Sequence, residues 1–187
     1  MSKDEELKHI WDTGLTDKEH FIIGSIIAQW GALEAEVFSQ TLDTFGTDIH
    51  VSQLPKEMNN LSFTSVLGLW KSRVVDVSKG KTKAILEQAH KNILRLTDAR
   101  NSIIHGMWDF SLKEPNTIST YRVKKDKIIH TVFEDGALAD IYTDIAEINA
   151  NIRYPGGMLD FFQDQMRDGC YVNEAEIRRM KLESDKK

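Results

Sequence analysis

The chain has 187 residues, a formal net charge of −5, 41% hydrophobic residues and 28% charged residues, which is the profile of one soluble globular domain with a real core. Its negative net charge disfavours a protein that coats nucleic acid without specificity, and its single cysteine excludes an intrachain disulfide. Because the start is acidic and polar, and no uninterrupted apolar run approaches the roughly 18 residues that cross a bilayer, we expect a cytoplasmic protein that does not enter a membrane.

The first half of the sequence has the apolar spacing of helices. Thr16 and Glu19 form the pattern of a capping box at the start of the longest one, and Gly46 ends it. The proline and asparagines of 47–60 indicate a loop, and Gly106 ends the last helix of this half. The predicted helices cover residues 4–11, 16–45, 63–75 and 81–104.

The second half begins with a change from helical to alternating spacing. The predicted strands cover residues 108–112, 118–123 and 128–133, with turns at 113–116 and 125–127. An amphipathic helix is predicted over 136–152, followed by a short apolar segment over 158–166 and a charged tail over 174–187. No repeat or linker is evident, so we expect a single, mainly α domain over the whole chain, in which 108–133 forms two or three short antiparallel strands.

The predicted helix 81–104 carries an arginine in the middle of its apolar stripe. At about 100° per residue, Arg100 lies between Ile93 and Leu96 on the helical wheel. An unpaired buried charge costs several kcal/mol. The guanidinium of Arg100 must therefore be paired, or must line a cavity or an interface.

The predicted helix 16–45 carries an acidic residue in the same kind of position. Glu34 lies between Trp30 and Ile27 on the apolar stripe of that helix. We therefore expect Glu34 and Arg100 to approach one another, and a bidentate pair would fix the rotamer of the arginine. A salt bridge with a purely structural role is the alternative.

The arginine is followed by further polar residues in the most basic part of the chain. Asn101 and His105 lie four residues apart on the flank of the stripe. The net charge is −7 over residues 1–69, +7 over 70–130 and −5 over 131–187. An anionic ligand would meet the protein in this basic third, although exposed lysines produce such an excess by accident about as often.

The run RNSIIH at 100–105 resembles the Arg-polar-x-x-x-His signature of the HEPN superfamily (higher eukaryotes and prokaryotes nucleotide-binding domains). His105 followed by Gly106 and the aromatic Trp108 looks like the form found in many bacterial and phage members. Glu34, in a long N-terminal helix, resembles the acidic position of the family. The resemblance covers about residues 16–105 and extends to the helix predicted over 136–152.

The resemblance implies an up-and-down helical bundle of four to five helices, into which a short antiparallel β-hairpin region at 108–133 is inserted. It also implies a symmetric homodimer in which the two signature segments meet at the interface. Many members with the full signature are metal-independent endoribonucleases that serve as toxins or in defence against phage. An antitoxin protein is then a possible further partner.

The residue types fit cleavage of RNA by its own 2′-hydroxyl, and no cofactor is expected. An imidazole exchanges protons near neutral pH, so His105 can act as acid or base, and the guanidinium of Arg100 can stabilise the charge on phosphorane oxygens. Asn101 can donate to a phosphate or hold the histidine ring, and Glu34 supports Arg100. Five basic residues are candidates for contacts with the RNA backbone: Lys113, Arg122, Lys124, Lys125 and Lys127.

Two other functions remain open. In a non-catalytic helical interaction module, Glu34–Arg100 is structural and His105 caps a helix. In a nucleotide-binding module, or in a substrate of an antitoxin transferase, the groove of the dimer holds a nucleotide. The remaining histidines lack the spacing of zinc ligands, so no metal site is expected.

Overall fold

Five helices and one antiparallel sheet form the part of the chain that the computed structural model describes, residues 13–46, 54–111 and 113–168. The domain is mainly helical, as the sequence predicts, and the sheet is inserted between the third and fourth helices. The helices are α1 (Asp17–Asp43), α2 (Phe63–Trp70), α3 (Gly80–His105), α4 (Ala137–Arg153) and α5 (Met158–Asp168). The strands are β1 (Met107–Ser111), β2 (Glu114–Lys124) and β3 (Lys127–Phe133).

The helix boundaries are set by the caps that the sequence contains. At the start of α1 the Thr16 hydroxyl accepts from the Glu19 amide at 3.3 Å and the Glu19 carboxylate accepts from the Thr16 amide at 2.6 Å, which confirms the capping box. Past the end of α1, Gly46 adopts the left-handed φ of +72° that glycine favours. Of the predicted elements, the helix over 4–11, the tail over 174–187 and residues 47–53 of the loop over 47–60 lie outside the described residues.

Two helical segments differ in detail from the prediction. The helix predicted over 63–75 consists of α2 followed by a π-helical turn, Lys71–Val75. The apolar segment predicted over 158–166 forms α5, which is a further helix.

The core lies between the helices, where α1 packs against α2 and α4, and α3 packs against α4. The apolar stripe of α4, the helix predicted as amphipathic over 136–152, belongs to this core, because Leu138, Ile145, Ile148 and Ile152 are buried in it. The sheet closes one side, with Ile118 and Phe133 facing inward. The largest fully buried side chains are Trp30, Trp70, Ile26, Leu33, Leu42, Met58, Ile93, Ile145, Ile152, Val37, Val75 and Thr41.

The sheet has three strands in the order β1-β2-β3, with each neighbouring pair antiparallel. The turn predicted over 113–116 is wrong in its extent, because Glu114 already pairs with Ser111 and β2 begins there. A register irregularity between Phe110 and Ser111 accompanies this tight connection. The second turn follows the prediction, and Lys125 within it takes a positive φ of 59°.

Helix α1 is long and apolar enough to meet a length-and-composition criterion for a membrane span, with a mean hydropathy of 1.3 over 18 residues. The core helices of soluble proteins meet the same criterion. In α1 the buried residues Ile26, Trp30, Leu33 and Val37 pack in the protein core.

Candidate functional site

The signature residues lie in the last two turns of α3. His105 is the last helical residue, and the Gly106 amide closes the helix by donating to the Ser102 carbonyl at 2.9 Å. Gly106 has φ −79° and ψ 147°, which any residue can adopt. A Cβ at Gly106 would instead meet the Ser102 carbonyl oxygen and would lie 2.5 Å from the Thr120 Cβ on β2. The glycine is therefore required by the close approach of the Ser102 carbonyl of α3 and of the sheet, rather than by an unusual backbone conformation.

Arg100 faces inward and meets Glu34, which confirms the contact expected from the two helical wheels. The Arg100 Nη2 lies 3.5 Å from the Glu34 Oε1, and the two side chains are 22% and 35% exposed. The pair is not bidentate: the same Glu34 oxygen accepts from the Trp30 indole nitrogen at 2.7 Å. The contact therefore extends across α1 as a chain of three side chains, indole, carboxylate and guanidinium.

Two further interactions define the environment of the guanidinium. Its Nη1 donates to the Asn101 Oδ1 at 3.1 Å, and its carbon lies 5.6 Å from the centroid of the Trp30 ring. Its Nε is buried and has no hydrogen-bond partner among the described residues. The guanidinium is thus oriented on two sides, and its buried Nε is a donor without an acceptor among the described residues.

His105 differs from Arg100 in being exposed. Within residues 13–46, 54–111 and 113–168, no partner donates to or accepts from its imidazole. Asn101 is half-buried, and its Oδ1 is occupied by Arg100. The arrangement therefore places a fixed cation and an accessible imidazole five residues apart at one end of α3.

The basic residues proposed from the sequence fall into two groups. Arg122 and Lys124, on β2, both bond to the Asp98 Oδ1 on α3, at 3.0 and 2.9 Å. The hydrogen bond from Lys124, followed by that from Arg122, lowers the pKa of the Asp98 carboxyl below its ordinary value. Lys125 and Lys127 are exposed near the same end of the sheet, and neither forms an ion pair with a described residue.

Lys113 is not brought together with the other four basic residues. It lies in the β1–β2 connection, whereas the others cluster at the β2–β3 turn. The 11 residues of β2 separate the two ends, which corresponds to about 35 Å of extended strand.

Sequence reasoning missed the contacts that attach the sheet to α3. Arg122 is only 9% exposed, and its Nε donates to the Ser102 hydroxyl at 3.1 Å. Ser102 is buried, and its hydroxyl also lies 2.9 Å from the Thr131 hydroxyl on β3. The polar residues Asp98 and Ser102, four apart on α3, signal a polar contact on that flank, but no local pattern specifies a strand residue as its partner.

Two cavities of the described surface lie apart from the signature residues. One of about 530 Å³ is lined by residues of α1, α4 and α5, including Glu36, Arg153 and Asp164. Another of about 520 Å³ lies between α4 and α5 around Tyr154 and Phe161. Among the described residues, no group of three or more His, Cys, Asp or Glu side chains could hold a metal ion.

No protein-family model, curated protein or solved structure matches the chain. The function is therefore inferred from the geometry of its own residues.

Proposed function

We propose that the protein is a metal-independent endoribonuclease of HEPN type that acts as a homodimer. The observation that carries the proposal is the presence of two groups five residues apart at the end of α3: a guanidinium held inward by Glu34 and an exposed imidazole that forms no hydrogen bond with a described residue. Arg100, Asn101 and His105 are the proposed catalytic residues. Glu34 is the proposed supporting residue.

The chemistry assigned to these residues is attack by the 2′-hydroxyl of RNA on its own phosphate. The reaction deprotonates that hydroxyl, develops negative charge on the phosphorane oxygens and protonates the leaving 5′-oxygen. A preorientated guanidinium supplies hydrogen bonds to the phosphorane oxygens. An imidazole transfers protons near neutral pH, and two copies of His105 in a symmetric dimer would provide one imidazole for each transfer.

The exposed surface of α1 supports self-association. Between residues 21 and 35, every exposed residue is uncharged: Phe21, Gly24, Ile27, Ala28, Gly31, Ala32 and Ala35. Surface helices of monomeric proteins carry charged residues on this face. Glu34 lies three residues after Gly31 on the same side of the helix, so a partner protomer seated on α1 would come close to the Arg100 site.

The proposed substrate is RNA, which the charge distribution favours. Lys125 and Lys127 are exposed at the end of the sheet that bonds to Asp98, and Asp98 lies one turn before Asn101. Lys124 and Lys113 are the other proposed backbone contacts, although Lys124 is paired with Asp98. A cytoplasmic toxin or a phage-defence nuclease, held in check by an antitoxin protein, is the proposed biological setting.

The experiment that tests this function uses the purified full chain and a labelled pool of RNA in the presence of EDTA. We expect the wild type to cleave, and His105→Ala and Arg100→Ala to remain dimeric and folded without cleaving. His130→Ala is the matched control, because His130 is also exposed but lies on the outward face of β3. A wild type without cleavage of any RNA, or a His105→Ala variant with undiminished cleavage, contradicts the proposal.

A non-catalytic interaction module is the second candidate, and the outward face of the sheet favours it. Met107, Val123 and Ile128 on this face are 73%, 76% and 74% exposed. Apolar side chains clustered in this way mark surfaces that bind other proteins. In that case Arg100→Ala lowers the melting temperature and has no catalytic consequence.

A further inference from the structure

Arg122 is nearly buried although it was expected to contact RNA. Only 9% of its side chain is exposed. Its Nε donates to the Ser102 hydroxyl at 3.1 Å and its Nη2 donates to the Asp98 carboxylate at 3.0 Å. The guanidinium therefore bonds to two residues that are one turn apart on α3, in the fork geometry that arginine favours.

Ser102 extends this contact to the end of the helix. Its hydroxyl lies 2.9 Å from the Thr131 hydroxyl on β3, and its carbonyl accepts from the Gly106 amide at 2.9 Å. Because Arg122 donates to the Ser102 oxygen, the Ser102 hydroxyl proton is available for Thr131. One buried serine thus links two strands of the sheet to the final turn of α3.

The sheet also holds Gly106, the residue after His105. Gly106 packs so closely against Thr120 of β2 that no Cβ fits between them. Ser102 and Gly106 are both fixed by the sheet, and His105 lies between them in the chain. Since the imidazole of His105 makes no hydrogen bond to a described residue, its direction is set by this stretch of backbone.

We propose that Arg122 is a positioning residue, which fixes the last turn of α3 through Ser102 and Asp98 and thereby sets the direction of the His105 imidazole. This inference rests on the proposed function for its catalytic consequence. It assigns the sheet a role in the site, namely to clamp the signature helix. It also removes Arg122 from the residues that contact RNA.

Lys124 provides a matched control within the same cluster. Its ammonium bonds to the same Asp98 oxygen at 2.9 Å, but it forms no bond to Ser102 and is 51% exposed. Arg122→Met and Lys124→Met each remove one positive charge from Asp98. Only Arg122→Met also removes the link to Ser102, so the two variants separate positioning from charge.

The experiment combines steady-state cleavage with NMR of the folded wild type and variants, selectively ¹³C-labelled at the histidine rings. The His105 ring signal is assigned by its loss in His105→Gln. We expect Arg122→Met to shift this signal and to lower kcat on the order of 10- to 100-fold with little change in KM, as displacement of a reacting group does. Lys124→Met should leave the His105 signal in place and, because it removes a proposed RNA backbone contact, should raise KM without the fall in kcat expected of Arg122→Met.

Two further variants keep the test decisive if Arg122→Met fails to fold. Arg122→Lys retains a charge for Asp98 but lacks the planar fork, and Ser102→Ala removes the acceptor and leaves Arg122–Asp98 intact. Both should shift the His105 signal and lower kcat as Arg122→Met does. Unchanged His105 signals in these variants overturn the positioning role. A rise in KM of equal size in Arg122→Met and Lys124→Met also overturns it, because that result indicates that Arg122 contacts RNA.

The NMR result separates failure of this inference from failure of the proposed function. If the wild type does not cleave RNA, the nuclease proposal fails, while the shift of the His105 signal in Arg122→Met and Ser102→Ala still decides whether the sheet sets its direction. If the wild type cleaves and those variants keep both the signal and kcat, the nuclease proposal stands and the positioning role is overturned.

Discussion

The Nη2 of Arg100 lies 3.5 Å from the Oε1 of Glu34, and this contact joins the charged positions on the apolar stripes of α1 and α3. The carboxylate is 35% exposed and also bonded to the indole of Trp30, so it stays solvated and hydrogen-bonded without its arginine. The solvated, hydrogen-bonded carboxylate distinguishes this pair from a fully buried ion pair. It therefore determines how much the stability changes when the arginine is removed.

Arg100→Met should change the free energy of unfolding by less than about 1 kcal/mol, the range of partly exposed ion pairs. The methionine occupies the position beside Trp30 and removes the Nε, which has no hydrogen-bond partner among the described residues. Loss of RNA cleavage at nearly unchanged stability is therefore the expected result, measured by urea unfolding beside the cleavage assay. A fall of about 3–5 kcal/mol, typical when one partner of a buried pair is removed, would instead indicate a structural bridge.

Gly31→Ala tests whether a second protomer seats on α1. In one protomer a Cβ at Gly31 meets nothing within 4 Å, so alanine should stabilise the helix by about 0.5–1 kcal/mol. If another α1 packs closely there, the same methyl group should weaken the dimer, which sedimentation at several concentrations measures.

Gly68→Ala, on α2, is the matched control for the self-association test. Its Cβ also meets nothing within 4 Å and Gly68 is exposed. It should stabilise the chain without changing the dimer. If both variants leave self-association unaltered, the uncharged face of α1 is not the contact between protomers.

The inward direction of Arg100 was predictable from the sequence because helical periodicity is local. Apolar residues at three- and four-residue spacing define the stripes, and a charge on each stripe leaves few solutions other than a pair. The same holds for the capping box at Thr16, which depends on residues three apart. Such features need no knowledge of how distant elements pack.

The clamp of the sheet on α3 could not be predicted in this way. Arg122 and Ser102 are brought together by the registration of β2 against α3, which depends on tertiary packing. A basic side chain on an alternating strand therefore suggested an RNA contact, whereas the fold buries it. For Gly106 the sequence correctly predicts the helix end, but only the fold shows the contact with Thr120.

Gly106→Ala should destabilise the protein by about 1–3 kcal/mol, the usual cost of forcing a methyl group into a filled space. The added Cβ meets a backbone carbonyl and the Thr120 Cβ, neither of which can rotate away. Thermal unfolding beside Gly68→Ala, expected to shift in the opposite direction, measures the difference. An unchanged or raised melting temperature in Gly106→Ala would show that the sheet does not press on this residue.

The free energy of unfolding should decrease when the pH is lowered below 6.5, the ordinary pKa of histidine, because of His90. His90 stacks on Trp70 with ring centroids 6.3 Å apart, and burial, followed by the charge of Lys71, lowers its pKa, whereas Asp76 opposes the shift. The unfolded chain then binds a proton at a higher pH than the folded one does. The stabilisation is complete above 6.5 and is lost as the pH falls through the folded-state pKa.

His90→Phe retains an aromatic ring beside Trp70 and removes this titration. We expect the free energy of unfolding of wild type, relative to that of His90→Phe, to decrease as the pH is lowered from 8 towards 5, as measured by urea unfolding at each pH. The carboxyls of Asp76 and Asp98 do not contribute in that window, because their pKa values are lowered from 3.8 and their stabilisation is lost only in stronger acid. Parallel stability curves for the two proteins over this range would show that the environment of His90 does not disfavour its charged form.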